Sequence, residues 1–172
     1  MPLAWASVGD VEAALVVENA GLFNVAVSVL RQLSNPPYGL VIYGAGAGVE
    51  QALPGLAELG RHVNSVVYVG DLDRAGLRIA QAAGRTLMEV GLPTLRPAPG
   101  LHERMLEAAA HLGHASGWPT RARRIRWDDD QLVSWLPEEI RPRVRALLAA
   151  GRRIPEEVLG PEELLAAWGG VG

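Results

Sequence analysis

Apolar positions along the chain fall into short unbroken runs, separated by longer segments of helical spacing. Ala13–Val17 is the first run, and Gly21–Leu33 after it repeats its apolar residues at helical intervals. Leu40–Tyr43 is the second, followed by a glycine-rich stretch, Gly44–Gly48, and a helical Val49–Leu59. Ser65–Val69, β-branched and aromatic, is the third and leads into a helical Ala75–Val90; Pro93–Leu95 reads as a weak fourth strand. Continuous apolar runs alternating with helices of this length predict βαβ units around a buried parallel sheet. Right-handed crossovers then place the helices on the sheet faces.

Past residue 97 the pattern changes. Leu101–Leu112 has helical spacing, and His114–Thr120 is loop-like. Arg121–Trp127 is a basic run, Asp128–Leu136 reads as a short helix capped by acids, and Pro137–Ala150 as a helix with Pro at its first position. Glu162–Trp168 is a final amphipathic turn after the Gly160-Pro161 break. The expected architecture is therefore an α/β core over residues 1–97 with a mostly helical extension over 98–172 packing on it.

Composition narrows the class. The 172 residues are 49% hydrophobic and 20% charged, the balance of a globular chain. No apolar run approaches the roughly 18–20 residues that span a bilayer. The first residues show neither a basic nor a long apolar leader segment, so the cytoplasm is the expected compartment. Cysteine is absent, which excludes disulfides, thiolate metal sites and a cysteine nucleophile. The net charge of −3 argues against a generally basic nucleic-acid coat, yet all 16 cationic residues are Arg. Coding bias explains that choice, and so does the match of the planar guanidinium fork to phosphate oxygens.

The chemistry gathers where an open parallel sheet puts it, beyond the carboxyl ends of the strands. The first run ends in Val17-Glu18-Asn19, the second in Tyr43-Gly44-Ala45-Gly46, and the third in Gly70-Asp71-Leu72-Asp73. Glu18, Asp71 and Asp73 at one sheet edge would repel one another and take up protons unless a cation balanced them. All-oxygen ligation suits Mg²⁺ or Mn²⁺. Asp73 also stands just before a helix, where a carboxylate serves as an N-cap. Gly44, Gly46 and Gly48 lack the third glycine spacing of a dinucleotide fingerprint, since position 49 is Val. They suit either an anion seat of free N–H groups or a tight turn at positive φ.

Arg121, Arg123 and Arg124 lie in a run of four Arg in six residues, either a DNA-backbone contact or a solvated segment. Arg141, Arg143, Arg145, Arg152 and Arg153 read as a solvated helix face and its C-terminus. His111 and His114 find no partner pair for zinc. Tyr43 and Tyr68 read as core residues, and no G-x-S-x-G elbow is present.

A Glu at one strand end, a glycine-bearing second strand end and an Asp-x-Asp at the third resemble the Toprim domain. The carrying phrases are VVENAG (Val16–Gly21), VIYGAGAG (Val41–Gly48) and VVYVGDLDRAG (Val66–Gly76). The resemblance implies a Rossmann-like fold in which Glu18, Asp71 and Asp73 are catalytic and hold Mg²⁺ or Mn²⁺ during phosphodiester chemistry. More narrowly, VIYGAGAGVE, GDLDRAGLRIA and the late RRIPEEVLG resemble the C-terminal Toprim region of JetD, the DNA-cleaving subunit of Wadjet plasmid defence.

That resemblance implies a Mg²⁺-dependent nuclease with DNA as partner and an SMC-type complex beside it. A homodimer is a further expectation. It also implies winged-helix DNA-binding elements on another region or subunit, since no segment here reads as one. Glu156 or Glu157 corresponds loosely to a late acidic patch. The chain departs from many Toprim domains at Ala75, where a third acid often follows the pair. Two alternatives stay open. One is a fragment of a strand-cleaving subunit of the topoisomerase VI A lineage. The other is a non-catalytic Toprim module that docks to an SMC-like partner.

Overall fold

The structure is a computed structural model that describes residues 4–120 and 127–169. Its centre is a five-stranded, mostly parallel sheet flanked by helices, an α/β Rossmann-like arrangement. The strands are β1 (Ala4–Ser7), β2 (Ala13–Val17), β3 (Leu40–Tyr43), β4 (Ser65–Val69) and β5 (Leu95–Pro97), in the order β1-β3-β2-β4-β5. The helices are α1 (Ala20–Leu30), α2 (Val49–Ala52), α3 (Arg74–Glu89), α4 (Leu101–His111), α5 (Asp129–Val133), α6 (Arg141–Ala149) and α7 (Pro161–Trp168). A small antiparallel pair joins β6 (Trp118–Pro119) to β7 (Arg152–Arg153). Among the described residues no helix is long and apolar enough to cross a membrane.

Strand side chains alternate between faces, and the core divides accordingly. Leu15, Val17, Val41, Val67 and Val69 face one side and share a core with Leu22, Ala26 and Leu30 of α1 and with the later helices. Met105 and Ala109 of α4, Val144 and Leu148 of α6, and Leu164 and Trp168 of α7 belong to it. Ala14, Val16, Leu40, Ile42, Val66 and Tyr68 face the other side, against Leu53, Leu56, Ile79, Ala83 and Leu87. Because both faces are covered, the strands read as unbroken apolar runs.

The chain leaves central β2 for β3 on one side, then crosses to β4 on the other. The order reverses between β2 and β4, and a crevice opens at their carboxyl ends. Glu18 follows the first of these strands and Asp71 the second.

Several expectations shift. β1 lacks a buried apolar run; it pairs antiparallel with β3 at the sheet edge, with Trp5 42% exposed. The fourth strand starts at Leu95, two residues later than expected, where it can pair with Val66. Val49–Leu59 begins as α2 but tightens to a 3₁₀ helix from Leu53 to Leu59, since Pro54 and Gly55 disfavour an α-helical interior. Pro137–Ala150 divides into a 3₁₀ turn, Glu138–Ile140, and α6, with Pro142 in the first turn of α6.

The basic residues near the end of the chain depart most from expectation. Arg152 and Arg153 form β7 rather than the C-terminus of a helix. Ile154 then makes an antiparallel bridge with Leu72: Leu72 N–H donates to Ile154 O at 2.9 Å, and Ile154 N–H to Leu72 O at 3.2 Å. Arg141 and Arg143 donate to the Leu136 and Leu106 carbonyls, and Arg145 pairs with Asp130. Arg143 and Arg145 stay exposed, as expected of a solvated helix face, while their contacts also tie α6 to α4 and α5.

Ile154 is fully buried in the core on the α1 side. Truncation there leaves a cavity and loosens the strand that reaches Asp71. Ile154→Ala should lower unfolding stability by about 2–5 kcal/mol, read as a lower urea midpoint.

Candidate active site

The geometry of the site follows from strand parity. Val16 of β2 lies beside Tyr68 of β4. Glu18, two residues past Val16, is on the same face as both, so the Tyr68 hydroxyl donates to Glu18 Oε2 at 2.8 Å. Only a hydrogen fits at Gly70: a Cβ there would stand 2.5 Å from both Glu18 Oε2 and the Tyr68 hydroxyl. Tyr68 is buried and orients Glu18, a role that its place inside an apolar run conceals.

Asp71 and Asp73 do not lie together along an extended strand. β4 ends at Val69, and Asp73 caps α3, its Oδ1 accepting the Gly76 N–H at 2.8 Å. A side chain on Gly76 would collide with the Asp71 carbonyl, so that glycine lets α3 start directly beneath Asp71. Asp71 turns instead toward the late segment. Its Oδ2 accepts from Arg153 Nη1 at 3.0 Å, and its Oδ1 from the Glu156 N–H at 2.9 Å.

Glu156, in a 3₁₀ turn spanning Glu156–Val158, is 1% exposed. Its Oε2 accepts the Glu18 N–H at 3.2 Å, while Oε1 is buried with no hydrogen-bond partner among the described residues. Glu157 Oε1 accepts from Asn19 Nδ2 at 2.7 Å, and Asn19 caps α1. The bridge at Ile154 thus delivers Arg153, Glu156 and Glu157 to the ends of β2 and β4. The RRIPEEVLG phrase held this signal, but a pairing between residues 72 and 154 has no local mark in sequence.

A cleft of about 290 Å³ opens among these groups, lined by Glu18, Asn19, Ala20, Tyr43, Ala45, Gly46, Asp71, Glu156 and Glu157. Tyr43 therefore faces the site, where its sequence position suggests core. Asp73 is not in the lining. Gly46 and Ala45 contribute at positive φ, 61° and 51°. Gly44 and Gly48 do not share that geometry; Gly44 is held by its N–H donation to Val17 O at 2.7 Å. Arg121, Arg123 and Arg124 lie outside the described residues.

The electrostatics are one-sided. Burial pushes Glu18 above the usual carboxylate range, and the Asp71 and Asp73 charges add to it against the Tyr68 hydrogen bond. Burial also raises Asp71, opposed by the Glu156 N–H and by Arg153. Glu156 is pushed up to about 9, first by burial and then by the Glu18 charge. Among the described residues no group of three or more His, Asp or Glu side chains is placed so that it could hold a metal ion. The acids are held individually by Tyr68, Arg153 and the α3 terminus.

A family model described as Wadjet protein JetD, C-terminal, matches residues 1–92, more than half of the 172-residue chain. The matched stretch includes Glu18, Asp71 and Asp73; Arg153, Glu156 and Glu157 lie beyond it. Comparison with curated proteins and with solved structures gives no match.

A carboxyl whose folded pKa exceeds its unfolded one holds its proton more tightly when folded. Its stabilising effect is complete below the unfolded value and fades as pH rises toward the folded value. For Glu156 that window runs from the ordinary 4.5 up to about 9. Glu156→Gln, permanently neutral, should therefore gain stability relative to the unsubstituted protein as pH rises from about 5 to about 9. Paired urea midpoints without divalent cations check this; a pH-independent difference would contradict it.

Proposed function

The chain belongs to the Wadjet JetD C-terminal family, and from that premise we propose that it is a Toprim-type module that cleaves DNA phosphodiester bonds with a divalent cation. The observation that carries the reading is the meeting of Glu18, Asp71 and Glu156 at one cleft, at the point where the strand order reverses. Three buried or half-buried acids with raised affinities for protons form a site short of positive charge. The donors are all oxygen, and Glu156 Oε1 is left without a partner. Both features fit a hard dication such as Mg²⁺ or Mn²⁺.

Glu18 and Asp71 would hold the cation, and Asp73 would add negative charge from the start of α3. When bound, it supplies polarisation of the phosphoryl oxygens and charge compensation at the leaving oxygen. The chain's own groups then have distinct tasks. Tyr68 fixes the orientation of Glu18 through its hydroxyl. Where Glu18 does not share the cation, its raised pKa and its place in the cleft suit it instead to pass a proton as general acid or base. Gly46 leaves one wall of the cleft without a side chain, which lets a phosphate approach the backbone. Hydrolysis adds water to phosphorus and breaks one ester P–O bond, and the departing oxygen takes up a proton. DNA is the partner in this reading, and an SMC-type complex is the assembly in which it acts.

The Arg153–Asp71 ion pair favours a second reading, in which an internal cation replaces the metal and the module only docks to that assembly. The readings part on chemistry. With Mg²⁺ and supercoiled plasmid, Glu18→Gln and Asp71→Asn should each lower nicking by about 100-fold or more, as for loss of a group acting at the reacting centre. Nicking at an undiminished rate in both variants would refute the nuclease reading.

A further inference from the structure

The side chains around the cleft are rich in acceptors and poor in donors. Of the nine lining residues four are acids and three are Ala or Gly, which leaves Asn19 and Tyr43. Asn19 is already committed: its Nδ2 donates to Glu157 Oε1 at 2.7 Å, and its Oδ1 accepts the Gly21 N–H. The two donors just outside the lining are committed as well, Tyr68 to Glu18 and Arg153 to Asp71. The Tyr43 hydroxyl makes no hydrogen bond among the described residues. It is the side-chain donor that this lining leaves uncommitted.

Strand register puts it there. Tyr43 is the last residue of β3 and lies beside Val17, the residue before Glu18. Val17 packs into the core on the α1 side, so Tyr43 leaves the sheet on that face. Phe23 of α1 meets it, with ring centroids 6.2 Å apart and planes tilted by 53°. That contact holds the tyrosine ring while the residue stays half-buried at the cleft. Just beyond Tyr43 the chain passes close to the first acid: a Cβ on Gly46 would stand 3.8 Å from Glu18 Oε1.

A phosphodiester carries a negative charge, and a lining of acids repels it unless donors meet its oxygens. A hydroxyl can donate without carrying a charge of its own, so the acids do not draw it into an ion pair. Its bond to an ionised acceptor is roughly twice as strong as one between neutral groups. We propose that Tyr43 is a substrate-contacting residue, whose hydroxyl donates to a non-bridging oxygen of the DNA phosphodiester that enters the cleft. The inference rests on the reading of DNA as substrate given above. Phe23 is the positioning residue behind it, acting through the ring contact.

Two measurements on the full chain test it. Fluorescence anisotropy of a labelled DNA duplex, with Ca²⁺ in place of Mg²⁺, reads binding. Nicking of supercoiled plasmid with Mg²⁺ reads KM and kcat. Circular dichroism and a urea midpoint check the fold of each variant. Tyr43→Phe keeps the ring against Phe23 and removes only the donor. It should weaken DNA binding about 10–100-fold, as for loss of a hydrogen bond to a charged group, with the loss falling on KM more than on kcat. Phe23→Leu frees the tyrosine ring and should weaken binding in the same direction by less, which keeps the test open if the first variant fails to fold. Unchanged binding and KM in Tyr43→Phe, with nicking lost in Glu18→Gln, would overturn the Tyr43 assignment and leave the nuclease reading standing. Weaker binding in Tyr43→Phe, with no nicking by the unsubstituted chain, would keep the contact and overturn the nuclease reading. A covalent DNA adduct that Tyr43→Phe abolishes would overturn the binding role by making the hydroxyl the reacting group. No DNA binding by the unsubstituted chain would overturn both.

Discussion

Negative charge concentrated at the edge of a buried sheet is the constraint around which this molecule is arranged. Parallel β2 and β4 must end side by side, because their apolar runs are covered on both faces and fix the register. Whatever follows those strands is forced into one crevice. Here Glu18 follows one and Asp71 the other, and Glu156 is brought in across the gap. Each acid raises the cost of ionising its neighbours, and burial raises it further. The folded chain tolerates this by assigning each carboxylate a donor: a tyrosine hydroxyl, a guanidinium, or a backbone N–H.

That assignment links folding to chemistry. The Leu72–Ile154 bridge is structural in its own right, since Ile154 and Leu72 are both fully buried. It also sets the spacing of everything at the cleft, because Arg153 and Glu156 lie one residue before and two residues after the bridge and both hold Asp71. A change in the core at residue 154 is thus felt as a change in electrostatics at residue 71. The extension carrying this segment shares one hydrophobic core with α1 and the sheet. The helical part of the chain and the site are therefore parts of one packed object.

Much of this was legible in the sequence, for identifiable reasons. The central strands β2, β3 and β4 match their apolar runs residue for residue, because strands buried on both faces leave no ambiguity of pattern. Glu18 and Asp71 were legible because strand ends are the places where an open sheet exposes chemistry. The edge strand β1 was not, since an exposed Ala-Trp-Ala-Ser carries no periodic signal. Tyr68 was hidden by its own surroundings: an apolar run makes a tyrosine look like filling, and only the β2–β4 register reveals that its hydroxyl meets Glu18. Arg153 and Glu156 were hidden by distance along the chain. Asp73 shows the opposite effect. The Asp-x-Asp spacing suggested a matched pair, but the turn into α3 separates their tasks, and the capping bond claims the second carboxylate.

The separation of Asp71 from Asp73 also explains why the late segment carries both signs of charge. With Asp73 capping α3, Glu18, Asp71, Glu156 and Glu157 are the acids left lining the crevice, and Arg153 offsets one charge among them. Glu156 makes no sense in that set as stabilisation. Its burial is costly, its Oε1 has no donor, and a neutral side chain of the same shape would accept the Glu18 N–H equally well. Burial and the Glu18 charge push that carboxyl up to about 9, so around neutral pH it sits in the crevice as a neutral acid. Arg153 balances Asp71 from the exposed side. With Arg153 paired to Asp71 and the Glu156 N–H donating to the same carboxylate, one short segment lets a crevice crowded with acids remain folded.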